Sequence, residues 1–386
     1  MAERRSKSNK KFMLLSAIGI FMVVDSHTFT AFALFGSFLP YNSFFMPMFM
    51  FISGYFNRVG SDTGLLKYIW KKIRTLLIPY TLISLIVFGI QFLMDWYKLG
   101  VVPPYPDGYL KYMLDRVITV GSPYALVTPM WFVITLFATL LIYAVIKKFL
   151  GRIWNSYAAL TVFLGLQILA VYLAKNTDPE ALTYYLLPLK VLFFLPFLEL
   201  GIIYRDHLEK KHSSMPAGGK VGLMVFLILI NMVRTIYLPN PYDVAFDSLD
   251  DLSGFTSPYL ITPFISSLIG IFFWLTLVDL IARPVGESRF INYMSCNTFW
   301  IMGMHIAFFN IFNCILMAVS LNIVKLKFFD VDFFRGSEWY FWEINLNIKA
   351  AYVLIGILGP LGFKYLCDRI YGPAVRVIDT RLKKKA

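Results

Sequence analysis

Two of the four histidines, His27 and His305, fall inside long apolar stretches, while His207 and His212 sit in a polar connection beside Lys210 and Lys211. An imidazole with an ordinary pKa of about 6.5 can take a proton from a hydroxyl and pass it on near neutral pH, which suits acyl transfer. It suits a proton relay in a transporter equally well, and the neighbouring residues leave both uses open. Asp25, Ser26 and Thr30 make the surroundings of His27 the most polar point of its stretch. That marks it as a functional candidate more than as a helix-packing residue. Residues two apart on a regular helix point to nearly opposite sides, so Asp25 is not expected to orient His27.

A second set of chemistry-bearing residues is basic. Lys71, Lys72 and Arg74, in Trp70-Lys71-Lys72-Ile73-Arg74 ahead of Pro79-Tyr80, could hold the phosphates of a charged donor, with Arg58 on the preceding connection. Basic residues also gather on the cytoplasmic side of membrane proteins for reasons of topology alone. Glu199, in Leu198-Glu199-Leu200-Gly201, could be a catalytic or coupling carboxylate, but its place near a span end favours snorkelling toward water. The outward aromatics Tyr105, Tyr124, Trp339, Tyr340 and Trp342 could stack on sugar rings, although interfacial belts use the same residues. Cys296, Cys314 and Cys367 are scattered through apolar sequence, which suggests neither a disulfide framework nor a metal site.

The elements that must position these residues follow from composition. With 58% hydrophobic, 18% aromatic and 15% charged residues, the chain lies outside the range of water-soluble domains. Apolar runs of about 20 residues recur, each long enough to cross a hydrocarbon core as a helix, and they lack the alternation of a barrel strand. The expected fold is all-α, a polytopic transmembrane helical bundle of about ten spans, near 12–35, 43–60, 76–97, 130–149, 155–174, 185–204, 220–238, 257–282, 292–320 and 347–371. Lys and Arg cluster in the connections after the second, fourth, sixth and eighth spans and at both chain ends, which places both termini in the cytoplasm. The same distribution explains the formal charge of +13 without a nucleic-acid partner. Residues 1–386 read as a single membrane domain, with a basic segment at 1–11, a basic tail at 372–386 and no evident internal repeat. The basic N-terminus and Ala31-Phe32-Ala33 imitate a signal peptide, but the run from Phe12 to Phe35 is too long and too polar near His27, so a retained span is expected.

Ordered segments along nearly the whole chain resemble the acyltransferase-3 family of integral membrane acyltransferases. Val23-Val24-Asp25-Ser26-His27 resembles the segment that ends in the family's characteristic histidine. Phe44-Phe45-Met46-Pro47-Met48-Phe49-Met50-Phe51-Ile52-Ser53-Gly54-Tyr55-Phe56 is the nearest match. The basic run into Arg74 and Pro79, then Met130-Trp131-Phe132-Val133, then Phe290 to His305 continue the correspondence. The chain departs from it at Ser16, where many members carry arginine about three helical turns before the histidine; Lys10 or Lys11 would be the substitute.

The resemblance implies transfer of an acetyl or other small acyl group from acetyl-CoA, or another acyl-coenzyme A, to a hydroxyl of a cell-surface or lipid-linked glycan. Under that reading His27 is general base or acyl carrier, and Ser26 and His305 support it by orienting the ring or binding the oxyanion. Arg74, Lys71, Lys72, Arg58 and Trp131 hold the donor, no metal takes part, and the enzyme sits as a multi-pass protein in the plasma or inner membrane among lipid. A homo-oligomer is compatible with it. The rival reading is a flippase or transporter of a lipid-linked intermediate, coupled to protons through His27 and Glu199.

Overall fold

A computed structural model describes residues 10–28, 39, 41–59, 64–97, 99, 109–151, 153–237, 260–285, 288–336 and 348–383. Helices make up nearly all of it, and no strand occurs among the described residues. In chain order they are α1 (Lys10–Ser26), α2 (Phe45–Phe56), α3 (Leu65–Trp96), α4 (Tyr109–Thr119), α5 (Trp131–Leu150), α6 (Ser156–Asn176) and α7 (Pro179–Ile203). Then follow α8 (Ala217–Tyr237), α9 (Thr262–Val285), α10 (Arg289–Cys296), α11 (Thr298–Asn322), α12 (Val331–Gly336) and α13 (Lys349–Lys383). Eight of the helices are long and apolar enough to cross a membrane. Of the ten expected spans, the first two are the short ones, α1 with 17 residues and α2 with 12.

Apolar composition drives these residues into helices because a backbone in hydrocarbon must bond within its own segment. Hydroxyls within the helices do the same, as the half-buried Ser16 donates to the Phe12 carbonyl at 2.8 Å and the buried Thr139 to the Thr135 carbonyl at 2.7 Å. The expected boundaries move in three places for local reasons. The basic stretch ahead of Arg74 is itself helical, so α3 begins at Leu65 and takes in a π-helical turn at Ile73–Leu77. The expected ninth span is broken at Asn297, whose carboxamide donates to the Tyr293 carbonyl at 2.7 Å and separates α10 from α11. The expected first span ends early as a helix, at Ser26. Residues 29–35 of that span, Arg4, Arg5, Lys7, Arg152, Lys384, Lys385, the acidic loop with Asp243, Asp247, Asp250 and Asp251, and Tyr105, Trp339, Tyr340 and Trp342 lie outside the described residues.

Four of the elements that charge distribution assigns to one side do meet there. The Lys11 ammonium is buried against the Tyr204 hydroxyl at 3.0 Å, Glu209 at 3.3 Å and Asp279 at 3.5 Å, and Asp279 also pairs with Lys220 at 2.6 Å. Arg205 donates to the carbonyls of Tyr55 and Asn57, at 3.0 and 2.7 Å, and so satisfies the last turn of α2. His212 lies in this network, bonded to Tyr204 at 2.8 Å and Thr276 at 3.0 Å, and is buried instead of lying free in a polar connection. Lys11 therefore points into a structural ion cluster and does not take the place of an arginine at Ser16.

Helices α2 and α7 cross at backbone contact. A Cβ built on Gly54 would lie 2.0 Å from the Leu198 carbonyl oxygen, and one on Gly201 would lie 2.1 Å from that of Phe51. Small residues let membrane helices approach this closely, and here nothing larger than hydrogen fits. Gly54→Ala or Gly201→Ala is expected to lower stability by about 1–3 kcal/mol or more through overpacking, whereas Gly165→Ala, inside α6 and in open space, does not lower it. Thermal unfolding of the three variants in detergent, followed by size exclusion, measures the difference.

Candidate functional site

His27 is placed by the end of α1. The turn after Ser26 closes with Thr28, whose amide and hydroxyl both reach the Asp25 carbonyl, at 3.0 and 2.7 Å. This sets the His27 ring back along the helix, with Nδ1 2.7 Å from the Val23 carbonyl. A carbonyl only accepts, so Nδ1 carries the hydrogen and Nε2 of the neutral ring keeps its lone pair. Ser26 donates to the same Val23 carbonyl at 2.9 Å.

His305 is placed by α11, which starts anew after the break at Asn297. Its Nδ1 is 2.9 Å from the Ile301 carbonyl, so it holds the same tautomer by the same logic. The ring is 0% exposed, and its Nε2 is buried without a hydrogen-bond partner. The two imidazoles stand edge to face, with centroids 4.9 Å apart. Residues far apart in sequence are thus brought together with each Nδ1 committed to its own helix.

Asp25 turns away from the pair. It is 0% exposed and its carboxylate lies 2.9 Å from the ammonium of Lys349, the first residue of α13. Residue types along the chain give no sign of this pairing with Lys349. Gly356 of α13 sits against Val24 and Phe309, and Gly303 of α11 against Ile83 and Met130, so close helix approaches wall the histidines on two sides.

A cavity of about 190 Å³ lies among α1, α2, α5 and α11. Ser16 and Ile20 line it from α1, and Thr298 and Met302 from α11. Ser16, Ile20 and His27 fall within about 40° of one another at 3.6 residues per turn, and Thr298, Met302 and His305 recur at spacings of four and three. The cavity's α11 wall therefore shares a helix face with His305, and its α1 wall is the face that leads toward the turn of His27; neither histidine lines it. Phe49, Phe132 and Val133 make the rest of it largely apolar.

The other expected residues are placed elsewhere. Arg58, Lys71 and Arg74 are exposed, Lys72 is half-buried with its ammonium 5.3 Å above the Tyr68 ring, and none of them lines this cavity. Arg74 is nine residues, roughly 13 Å along α3, from Ile83 at the depth of Gly303. Trp131 opens α5 at the opposite end of that helix from the basic side and lies under the Lys190 ammonium, 4.0 Å from its ring centre. Glu199 does not snorkel: it is 0% exposed and accepts from the Tyr143 hydroxyl at 2.6 Å. Tyr124 is no belt residue either, being buried with its hydroxyl on the Ser84 carbonyl.

A family model described as an acyltransferase domain matches residues 11–362, from the first turn of α1 to the middle of α13. No curated protein and no solved structure matches the chain.

Proposed function

Since the chain belongs to the acyltransferase-3 family and is a multi-pass membrane acyltransferase, we propose that it moves an acetyl or similar small acyl group from acyl-coenzyme A to a hydroxyl of a cell-surface or lipid-linked glycan. The observation that carries this reading is the histidine pair, ring centroids 4.9 Å apart, with both Nδ1 atoms held by backbone carbonyls and a largely apolar cavity lined by the same elements α1 and α11. The cavity suits the acyl end of a thioester, and His27 is the base. Its Nε2 takes the proton of the acceptor hydroxyl as that oxygen attacks the acyl carbon. The C–O bond forms, the C–S bond breaks, and the leaving thiolate takes the proton back from His27. Ser26 supplies a hydrogen bond to the oxyanion once its hydroxyl turns from the Val23 carbonyl. His305 packs on His27 and fixes the ring that does the chemistry.

The acceptor class and the coenzyme A donor rest on the resemblance in the sequence, and the pair supports the transfer step itself. Purified protein incubated in detergent with acetyl-CoA carrying a labelled acetyl group and a glycan acceptor is expected to move label to the acceptor with release of free thiol. Absence of thiol release with folded protein and every acyl chain length tested overturns the donor assignment.

A further inference from the structure

A second and larger cavity, of about 550 Å³, opens at the basic end of the bundle between α1, α10 and α13. Arg289 enters it from the first turn of α10, and Lys364 and Asp368 from α13. Asn292, Tyr293, Cys296 and Asn297 also line it. Lys364 pairs with Asp368 and lies 5.5 Å from the ring centre of Trp300, which leaves Arg289 as the cleft's excess positive charge.

The position of this cleft is as informative as its lining. Met13 belongs to its wall, and Ser16, one turn further along α1, belongs to the wall of the first cavity. On the other side Asn297 lines the cleft and Thr298, the next residue, lines the cavity. The two spaces therefore adjoin along α1 and α11, on the side of Met13 that leads toward His27, fourteen residues or about 21 Å further along the chain's helical rise. Between Met13 and His27, α1 carries neither lysine nor arginine, so cations at this depth must come from other helices. By contrast Arg58, Lys71, Lys72 and Arg74 line neither cavity.

Resting on the acyl-donor reading above, we propose that the phosphate-bearing nucleotide end of the donor binds in the cleft of Arg289, Lys364, Asn297 and Tyr293. Its arm passes Met13 and Ser16 to bring the thioester to His27. Arg289 presents a fork of N–H donors to a phosphate, Lys364 adds a point charge shared with Asp368, and Tyr293 offers a face for a base. A volume of this size is ordinary for a small-molecule site.

Cys296 gives a readout independent of turnover, because it is exposed and lines the cleft. With Cys314 and Cys367 replaced by serine, maleimide labelling of Cys296 is expected to slow at least severalfold when coenzyme A is added. Arg289→Ala and Arg289→Glu remove that protection and raise KM for acyl-coenzyme A by about tenfold or more, while an acyl-pantetheine donor lacking the nucleotide is used unchanged. Asp368→Asn, which removes the competing carboxylate, lowers KM instead, an outcome that structural damage does not produce. Unaltered labelling with coenzyme A, or an unchanged KM in Arg289→Glu in a protein that still cleaves the thioester, overturns the cleft and leaves the donor reading standing. Cys296 protection by coenzyme A without thioester cleavage keeps the cleft and overturns the transfer reaction.

Discussion

His27→Asn leaves folded protein in the membrane and lowers acyl transfer by about 10² to 10⁴-fold, the range that positioned general-base help supplies. Asparagine is the informative replacement. Its side-chain amide can still donate to the Val23 carbonyl that holds Nδ1 of the imidazole at 2.7 Å, but it brings no basic nitrogen to the place of Nε2. The turn after α1 keeps its other bonds, since Thr28 and not His27 closes it on Asp25. His27→Ala is expected to fall as far, because the lone pair and not the hydrogen bond does the chemistry. Size exclusion confirms folding, and the initial rate of thiol release with acceptor present gives the loss. Wild-type rates in His27→Asn would remove His27 from the reaction.

Breaking the Asp25–Lys349 pair has the second large effect, and it falls on stability. Both groups are buried, so Asp25→Leu or Lys349→Met alone removes one side of a buried ion pair and costs about 3–5 kcal/mol. The double variant Asp25→Leu/Lys349→Met removes both charges and is expected to recover most of that loss, as buried ion pairs replaced by apolar side chains commonly do. Each single change also loosens the start of α13 from the end of α1, so activity per folded molecule drops in the singles and returns in part in the double. Unfolding of all three in one detergent closes the cycle; additive losses in the double variant would show that the two residues act independently.

The bundle was readable because long apolar runs have one solution in hydrocarbon, and the histidines because polarity there is costly. His305 could be named beside His27 from the same principle, and the structure sets their rings 4.9 Å apart. What stayed hidden depends on single residues or on partners in other helices. Hydropathy runs on past Ser26 and across Asn297, so neither the end of α1 nor the break before α11 shows in it. The burial of Glu199 is decided by Tyr143, two spans earlier, and that of Lys11 by Glu209 and Asp279. The cleft at Arg289 is not legible in the sequence because Arg289 looks like an ordinary positive-inside residue, Lys364 falls inside the expected tenth span, and only the fold brings both beside Met13.

The shortness of α2 bears on the distance between the two aqueous compartments. Twelve helical residues rise only about 18 Å, against roughly 30 Å of hydrocarbon. At the start of α2 the chain is tied to α9, with Ser267 donating to the buried Ser43 carbonyl at 2.6 Å, so that backbone group is satisfied within the protein. For the transfer proposed above, a helix this short would leave the two substrates less depth to span before they come within bonding reach.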